Sequence, residues 1–164
     1  MDNQEIASFW DENAPDWIEA VREGWDVYRE LVNNPAFFET LGDIAGMKVL
    51  DVGCGEGYNT RKFADLGAQV VGASLDLPSN PSHFEVAEVS KQIGDHRIDI
   101  RDENALNELV HEVQPDFVFH LAAQALVRPS YKDPLETLAT NALGSANLLN
   151  SLRNLTKPVV AVMI

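Results

Sequence analysis

The sequence predicts an α/β domain built on a doubly wound parallel sheet. From Lys48 onward, short apolar runs alternate with helix-compatible segments at the spacing of successive strand–helix–strand units. A glycine-rich turn separates the first apolar run, residues 49–52, from the first helical segment, residues 58–66. Right-handed crossovers then predict a Rossmann-like sheet of five strands in the order 3-2-1-4-5.

We expect residues 1–164 to form one such domain with an N-terminal helical extension, residues 1–46. In the extension, aromatic and aliphatic residues recur at steps of three to four, the pattern of amphipathic helices. Core packing is one interpretation of these residues. The other is a lid over the glycine turn, formed by Trp17, Trp25, Tyr28 and Arg29.

The rest of the domain divides into a first β-α-β unit, residues 47–73, and a second part, residues 74–164. Asp102 is the expected N-cap of a helix, because its side chain can accept from the free backbone N–H groups of the first turn. The further strands are predicted at 69–73, 97–100, 117–122 and 159–164, and the further helices at 83–92, 103–113 and 135–154.

Composition excludes several classes of function. The net charge is −14 and Lys and Arg are not clustered, which argues against a nucleic-acid partner. No apolar run approaches the roughly 20 residues that cross a bilayer, and the start at Met1 lacks the basic residues of a signal peptide, so we expect a cytoplasmic protein. The single cysteine, Cys54, excludes an internal disulfide, and the histidines lack partners at metal-ligand spacing, so no metal is expected.

The predicted ligand site lies beyond the carboxyl ends of the strands, where ligands bind in open parallel sheets. The glycines allow close approach of a ligand to the backbone, and the helix that follows directs unpaired N–H groups to the same place. Acidic and hydroxyl side chains after the next strands suit ribose and adenine, so the sequence predicts an adenosine-containing ligand and no catalytic residue. The predicted ligand-binding residues are Asp51, Gly53, Cys54, Gly55, Gly57, Ser74, Leu75, Asp76, Asp99, Ile100, Ala122, Ala123 and Gln124, with Tyr28 and Arg29 from the extension.

Residues 9–72 resemble the N-terminal half of a class I S-adenosylmethionine-dependent methyltransferase. The resemblance rests mainly on the run Asp51-Val-Gly-Cys-Gly-Glu-Gly57, an Asp-x-Gly-x-Gly-x-Gly turn between a strand and a helix. Nicotinamide-binding turns usually have the spacing Gly-x-Gly-x-x-Gly instead. The resemblance implies S-adenosylmethionine or S-adenosylhomocysteine as the ligand, with an acidic residue expected where Ser74 stands.

Residues 74–155 resemble instead CDP-glucose 4,6-dehydratase, an extended short-chain dehydrogenase/reductase that uses NAD. The resemblance rests on Asp99-Ile-Arg-Asp102, the run His120-Leu-Ala-Ala-Gln124, and Thr140-Asn-Ala-Leu-Gly144. It implies that Asp99 and Ile100 flank the adenine, that residues 122–124 lie near the nicotinamide ribose, and that Asn141 is structural. Dehydration is not expected, because that family carries its Tyr-x-x-x-Lys pair after strand 5, and the sequence stops at Ile164 before that region.

We interpret the chain as a chimera, engineered or else natural, joined near residues 72–74. The function predicted first is binding of S-adenosylmethionine or S-adenosylhomocysteine with little or no catalysis. The alternatives are an NAD-binding half-domain of a CDP-glucose 4,6-dehydratase and a folded scaffold without a ligand. We also expect a homodimer, because the last strand is an apolar edge and the helix at 135–154 has an apolar face.

Overall fold

A computed structural model describes residues 16, 19–20, 23–55, 57–75 and 93–163. The chain forms two compact units, Met1–Asp43 and Ile44–Ile164. In the first unit, a π-helical turn (Arg29–Asn33) leads into helix α1 (Asn34–Leu41), whose first turn contains a proline. Trp17, Asp76 and the helix predicted at 83–92 lie outside the described residues.

The second unit is built on a five-stranded parallel sheet in the order β3-β2-β1-β4-β5, which confirms the predicted fold class. β1 lies at the centre because its apolar residues are buried from both sides, as expected of a parallel strand between two helix layers. The strands are β1 (Lys48–Val52), β2 (Gln69–Ser74), β3 (Gly94–Arg97), β4 (Phe117–His120) and β5 (Val160–Met163).

Five further helices and a π-helical segment connect the strands that the structure describes. Asp102 caps α3 as predicted, because its side chain accepts hydrogen bonds from the backbone N–H groups of Asn104 and Ala105, both at 3.1 Å. The helices are α2 (Tyr58–Asp65), α3 (Glu103–Val113), α4 (Val127–Lys132), α5 (Pro134–Leu138) and α6 (Ser145–Arg153), and the π-helical segment is Ala139–Gly144.

The prediction of strand 3 at residues 97–100 was wrong by three residues. β3 pairs with β2 from Gly94, opposite Val71, to Arg97, opposite Ser74, and the chain then leaves the sheet. Ile98 and Ile100, which fall in the predicted strand, instead contribute to the apolar core from the loop after β3. The apolar character of these two residues is the same whether they lie in a strand or in a loop that packs on the core, so it could not fix the bounds of β3.

The prediction of one long helix at 135–154 was confirmed in extent, because residues 134–153 are helical without interruption, although the middle of the stretch is π-helical. A loop was expected at 128–134, but α4 forms there, and Asp133 ends α4 while its side chain accepts from the backbone N–H of Glu136 at 3.0 Å to begin α5. The residues after α5 continue as a π-helical segment before α6 begins at Ser145. Pro134 favours a new helix start, since its fixed φ suits a first helical position.

The core is an apolar layer between the sheet and helices α3 and α6. It contains residues of β1, β2 and β4 together with one face of each helix. On the other side of the sheet, α2 packs through Phe63, whose ring stacks on that of Phe119 at 4.5 Å between centroids. None of the helices in the described part of the chain is long and apolar enough to span a membrane. The members of the apolar layer are Leu50, Val52, Ala73, Ile100, Leu106, Leu109, Val110, Val113, Val118, Leu148 and Leu152.

Candidate functional site

The glycine turn between β1 and α2 packs directly on the segment that leaves β4. Gly53 has φ of +92°, and a Cβ placed there would overlap the backbone of Leu121 and Ala122. Gly55 and Gly57 also have positive φ, at +54° and +78°, and Gly57 is the N-cap of α2. The turn therefore requires glycine at Gly53 for both its backbone conformation and its contact.

A cleft of about 260 Å³ opens at the carboxyl ends of the strands, as the topology predicts. The glycine turn, the end of β2 and the segments after β3 and β4 form most of its wall, and α5 and the π-helical segment complete it. The lining residues are Gly53, Gly55, Ala73, Ser74, Leu75, Ile98, Asp99, Ile100, Arg101, Leu121, Ala122, Ala123, Glu136 and Thr140.

The structure brings most of the predicted ligand-binding residues to this cleft. Others lie outside the lining: Asp51 and Cys54 are buried, Gly57 is the N-cap of α2, and the Gln124 side chain is hydrogen-bonded to Leu126 and Thr137. Tyr28 and Arg29 belong to the N-terminal unit, where Tyr28 is exposed. The predicted residues that line the cleft are Gly53, Gly55, Ser74, Leu75, Asp99, Ile100, Ala122 and Ala123.

Asp51 is a buried carboxylate next to the end of β1. Its side chain is 1% exposed, and its Oδ2 accepts a hydrogen bond of 2.6 Å from the Thr60 hydroxyl on α2. Its Oδ1 has no hydrogen-bond partner among the described residues. Burial raises the pKa of the Asp51 carboxyl to about 6, and the Thr60 hydrogen bond opposes that rise.

Cys54 lies beneath the turn, against β2. A Cβ at Gly72 would come within 3.0 Å of the Cys54 sulfur, so the missing side chain of Gly72 makes room for the thiol. Burial, and then the charge of Asp51, raise the pKa of the Cys54 thiol to about 11, while a hydrogen bond with Ser74 opposes the rise. The thiol is therefore protonated at neutral pH.

The end of β2 carries Ser74, whose Oγ accepts a hydrogen bond from the guanidinium of Arg97 on β3. Arg97 also forms an ion pair with Asp95 at 2.8 Å. The acidic residue expected here from the methyltransferase resemblance is thus replaced by a hydroxyl beside a cation. This corner of the cleft offers a hydroxyl group to a ribose.

The segment after β3 forms the side of the cleft predicted to hold adenine. Asp99 accepts from the backbone N–H of Arg101 and from its Nε, each at 2.9 Å. The side-chain hydrogen bond from Arg101 is the main cause that lowers the pKa of Asp99, so Asp99 is ionised near neutral pH. Ile100 packs where a Cβ on Gly144 would overlap it, which brings the π-helical segment close to this wall.

The segment after β4 is held by the π-helical segment through Asn141. The Asn141 side chain accepts from the backbone N–H of Gln124 at 2.7 Å and donates to the carbonyl oxygen of Gln124 at 3.0 Å. These two contacts give Asn141 the structural role that the dehydratase resemblance implied. They fix the backbone next to Ala122 and Ala123.

His120, the last residue of β4, is buried and bonded to α6. Its Nε2 lies 2.7 Å from the hydroxyl of Ser145, and that hydroxyl donates to the carbonyl oxygen of Asn141 at 2.7 Å. The hydroxyl therefore accepts from Nε2–H, and Nδ1 is left as an acceptor without a partner in the described part of the chain. Burial lowers the pKa of His120, which favours this neutral form.

Sequence reasoning missed Arg101, Glu136 and Thr140 as lining residues. Arg101 lies two residues after Asp99, a spacing that allows a local ion pair, and this signal was available. Glu136 and Thr140 lie within the stretch that was predicted as one helix, on α5 and on the π-helical segment. Their approach to the loop after β3 is a tertiary contact that no local pattern encodes.

The sheet order and the cleft together define a Rossmann-type domain with a nucleotide-sized site at the strand ends. No group of three or more His, Cys, Asp or Glu side chains comes together as a metal site within the ranges that the structure describes. A model of the GDP-mannose 4,6 dehydratase family matches residues 54–163, and the chain belongs to that family.

Comparison with individual proteins also finds a nucleotide-sugar dehydratase. A CDP-glucose 4,6-dehydratase from Salmonella typhimurium is 42% identical over 91 residues, which are 56% of this chain and 25% of that protein. The resemblance of residues 74–155 to dehydratases is thereby confirmed at the level of the family.

Solved structures show the same fold. A UDP-glucose 4-epimerase from Thermus thermophilus in complex with NAD has a TM-score of 0.57 and 30% identity, covering 65% of this chain and 34% of the epimerase. The Bordetella bronchiseptica enzyme WbmF, in complex with NAD⁺ and UDP, has a TM-score of 0.61 and 26% identity, covering 73% of this chain and 36% of WbmF. The chain thus spans about a quarter of the dehydratase and about a third of each solved structure.

Proposed function

We propose that this chain is an NAD-binding part of a nucleotide-sugar dehydratase or epimerase, and that the cleft holds the adenosine end of NAD. The observation that carries the proposal is the cleft itself, which joins the glycine turn, the Asp99–Ile100 pair and the Ala122–Ala123 backbone. Two solved relatives of the same fold are complexes with NAD. This is the alternative function that the sequence predicted, and it has more support than the function predicted first.

The groups around the cleft suit the parts of a dinucleotide. The open backbone at Gly53 and Gly55 admits a pyrophosphate near the N-terminus of α2, where N–H groups and the helix dipole favour an anion. Asp99 is an ionised acceptor for the adenine amino group, and Ile100 offers an apolar contact to the ring. The Ser74 hydroxyl lies at the end of β2, where ribose hydroxyls are bound in this fold.

The proposal for this chain is limited to cofactor binding. Dehydration or epimerisation of a nucleotide sugar is what the names of the longer relatives state, and the chain spans a minor part of their length. We assign no catalytic residue within the chain. A cytoplasmic location also stays a proposal, which rests on the composition alone.

S-adenosylhomocysteine is the second candidate ligand. It is favoured by the spacing of Asp51, Gly53, Gly55 and Gly57, and the match to the dehydratase family begins only at residue 54. The methyltransferase-like origin of residues 9–72, and with it the chimera, rests on these sequence motifs alone.

Calorimetric titration of the chain with NAD and with S-adenosylhomocysteine separates the candidates. We expect heat of binding with NAD and none with S-adenosylhomocysteine. Replacing Ala123 with leucine should fill the cleft and weaken NAD binding, whereas Ala125→Leu, two residues further along the same exposed segment but outside the lining, should not. Binding of S-adenosylhomocysteine alone would favour the second candidate. No heat of binding with either ligand would favour the third alternative, a folded scaffold without a ligand.

We also propose that the chain forms a homodimer, as the sequence predicted. Exposed apolar side chains on α4, α5, the π-helical segment and α6 support this proposal, since large exposed apolar patches mark association sites. Light scattering at micromolar concentration should give twice the mass of one chain, and a monomer mass would contradict the proposal. The exposed residues are Val127, Tyr131, Leu135, Leu138, Leu143 and Leu149.

A further inference from the structure

The guanidinium of Arg101 joins two walls of the cleft that are far apart in sequence. On one side, Nε donates to both carboxylate oxygens of Asp99 at 2.9 Å, and a terminal nitrogen lies 2.5 Å from Asp99 Oδ2. On the other side, the second terminal nitrogen lies 2.5 Å from both carboxylate oxygens of Glu136. All three side chains line the cleft. One cation therefore links the segment after β3 to α5.

Helix α5 is the exposed first part of a helical stretch that continues through the π-helical segment into α6. It has five residues, and all of them except Thr137 are exposed. Thr137 adds one hydrogen bond, accepted from the side-chain amide of Gln124 at 3.1 Å. An exposed helix end with few buried contacts opens at low cost in free energy, so the ion pair of Arg101 with Glu136 contributes to holding this first turn against the cleft.

We propose that Arg101 is a positioning residue for the adenosine site. Its ion pair with Glu136 holds α5 as a wall of the cleft, and its hydrogen bonds to Asp99 orient that carboxylate toward the ligand. This inference rests on the proposed function, because it concerns how the same cleft holds an adenine ring.

The chemistry of Asp99 explains why orientation matters. A carboxylate has lone pairs beyond those that Arg101 occupies, and it can accept from the adenine amino group only if those lone pairs face the cleft. Without Arg101 the Asp99 side chain is free to turn toward water. Glu136 does not contact Asp99 in this arrangement, so its loss should release α5 and leave the Asp99 contact intact.

Ionic strength gives a readout that a purely structural role would not change. Arg101 and Glu136 are partly exposed, with 34% and 49% of their side chains accessible, so dissolved salt screens their attraction. General repulsion between an acidic protein and an anionic dinucleotide weakens as salt is added. NAD affinity is therefore compared between wild type and Glu136→Gln at each salt concentration. The change in this difference with salt measures the contribution of the ion pair.

The first test needs no ligand. Hydrogen exchange of the α5 amides is compared in wild type, Arg101→Gln and Glu136→Gln. Arg153→Gln, at the exposed end of α6 and outside the cleft lining, is the matched control. We expect faster exchange in the first two variants and no change in the control. Unchanged exchange in Arg101→Gln would overturn the inference, whether or not NAD binds.

The second test is titration with NAD at low and high salt. We expect Glu136→Gln to weaken binding roughly three- to fivefold at low salt, the range of an exposed ion pair, with the difference shrinking at high salt. Arg101→Gln should weaken binding about tenfold, because an orienting hydrogen bond is lost as well. Wild-type affinity in both variants would overturn the inference and leave the proposed function standing. If the wild type binds no NAD, the proposed function and the ligand part of this inference both fail. Faster exchange of the α5 amides in Arg101→Gln would still support the role of the ion pair with Glu136 in holding α5.

Discussion

Leu106 and Asp51 are both almost completely buried, at 0% and 1% exposure, but in different surroundings. Leu106 lies in the apolar layer between the sheet and helices α3 and α6, where all members of the cluster are aliphatic. Asp51 belongs to what we call the rim, the carboxyl ends of β1, β2 and β4 with the turns that follow. The rim contains the buried polar residues Asp51 and His120, each with an acceptor atom that has no partner among the described residues, and three glycines with positive φ, Gly53, Gly55 and Gly57.

The comparison shows that stability and binding rest on different kinds of residue. The layer depends on side-chain volume, so aliphatic replacements of similar size should be tolerated there. The rim depends on backbone conformation and on particular hydrogen bonds, so small changes in chemistry should have large effects. Buried polar groups and positive-φ glycines run against local preferences, and such exceptions are expected where a fold forms a binding site.

The largest effect is expected from Gly53→Ala. The added Cβ would overlap the backbone after β4, and the residue would keep a φ of +92°. Strain and overlap together should cost about 2–6 kcal/mol of unfolding free energy and abolish NAD binding. Gly46→Ala is the matched control, because Gly46 has a φ of +74° with no atom within 4 Å of the added Cβ. Equal losses in the two variants, measured by urea unfolding, would show that contact at the rim is unimportant.

The layer should respond to loss of volume. Leu106→Ala removes a fully buried side chain, so we expect a loss of about 2–5 kcal/mol in unfolding free energy with ligand affinity unchanged in the folded protein. Leu149→Ala on α6, where the leucine is 47% exposed, should cost much less. Denaturant unfolding and NAD titration of both variants check this. A fall in NAD affinity with Leu106→Ala would contradict the view that the apolar layer affects stability and the rim affects binding.

Asp51→Asn should stabilise the protein at neutral pH. The folded-state pKa of about 6 lies above the ordinary value of 3.8, so the folded state takes up a proton as the pH falls through this interval. The stability contributed by Asp51 is therefore highest at low pH, is lost between about pH 4 and 6, and is lower by about 3 kcal/mol above pH 6. Asparagine still accepts from Thr60 and carries no charge.

Unfolding of wild type and Asp51→Asn is therefore compared at pH 8 and pH 4. A gain at pH 8 that disappears near pH 4 is the expected result. A difference independent of pH would mean that charge burial is not the cause.

The smallest effect is expected from Ser145→Ala. It removes the acceptor for His120 Nε2–H and leaves that buried donor unpaired, at a cost of about 1–3 kcal/mol. Ser151→Ala on the same helix is the matched control, because the hydroxyl of Ser151, a buried residue, also donates to a carbonyl four residues earlier, at 3.0 Å. Thermal unfolding should show a larger loss for Ser145→Ala, and equal losses would assign no role to the bond with His120.

The sequence allowed much of this architecture to be predicted because the signals were local. The apolar run from Val49 to Val52, the glycines after it and the capping Asp102 each act within a few residues, and β1, α2 and α3 formed as expected. The strand order followed from the alternation of strands and helices.

Non-local features were not predictable in the same way. The start of β3 at Gly94 is set by pairing with β2, and the π-helical segment around Asn141 is stabilised by contacts with the segment after β4. The approach of Arg101 to Glu136 likewise depends on how two distant segments fold together. The position of the cleft could therefore be predicted, whereas part of its wall could not.

The position of Cys54 in the glycine turn means that its thiol can report on the opening of the rim. It is the sole cysteine in the sequence, it is 8% exposed, and its raised pKa keeps it in the unreactive thiol form. Alkylation by a thiol reagent can then proceed only when the turn over β2 opens. The rate of labelling would report how often that happens, and a bound dinucleotide that closes the turn would slow the reaction without any dye or engineered residue.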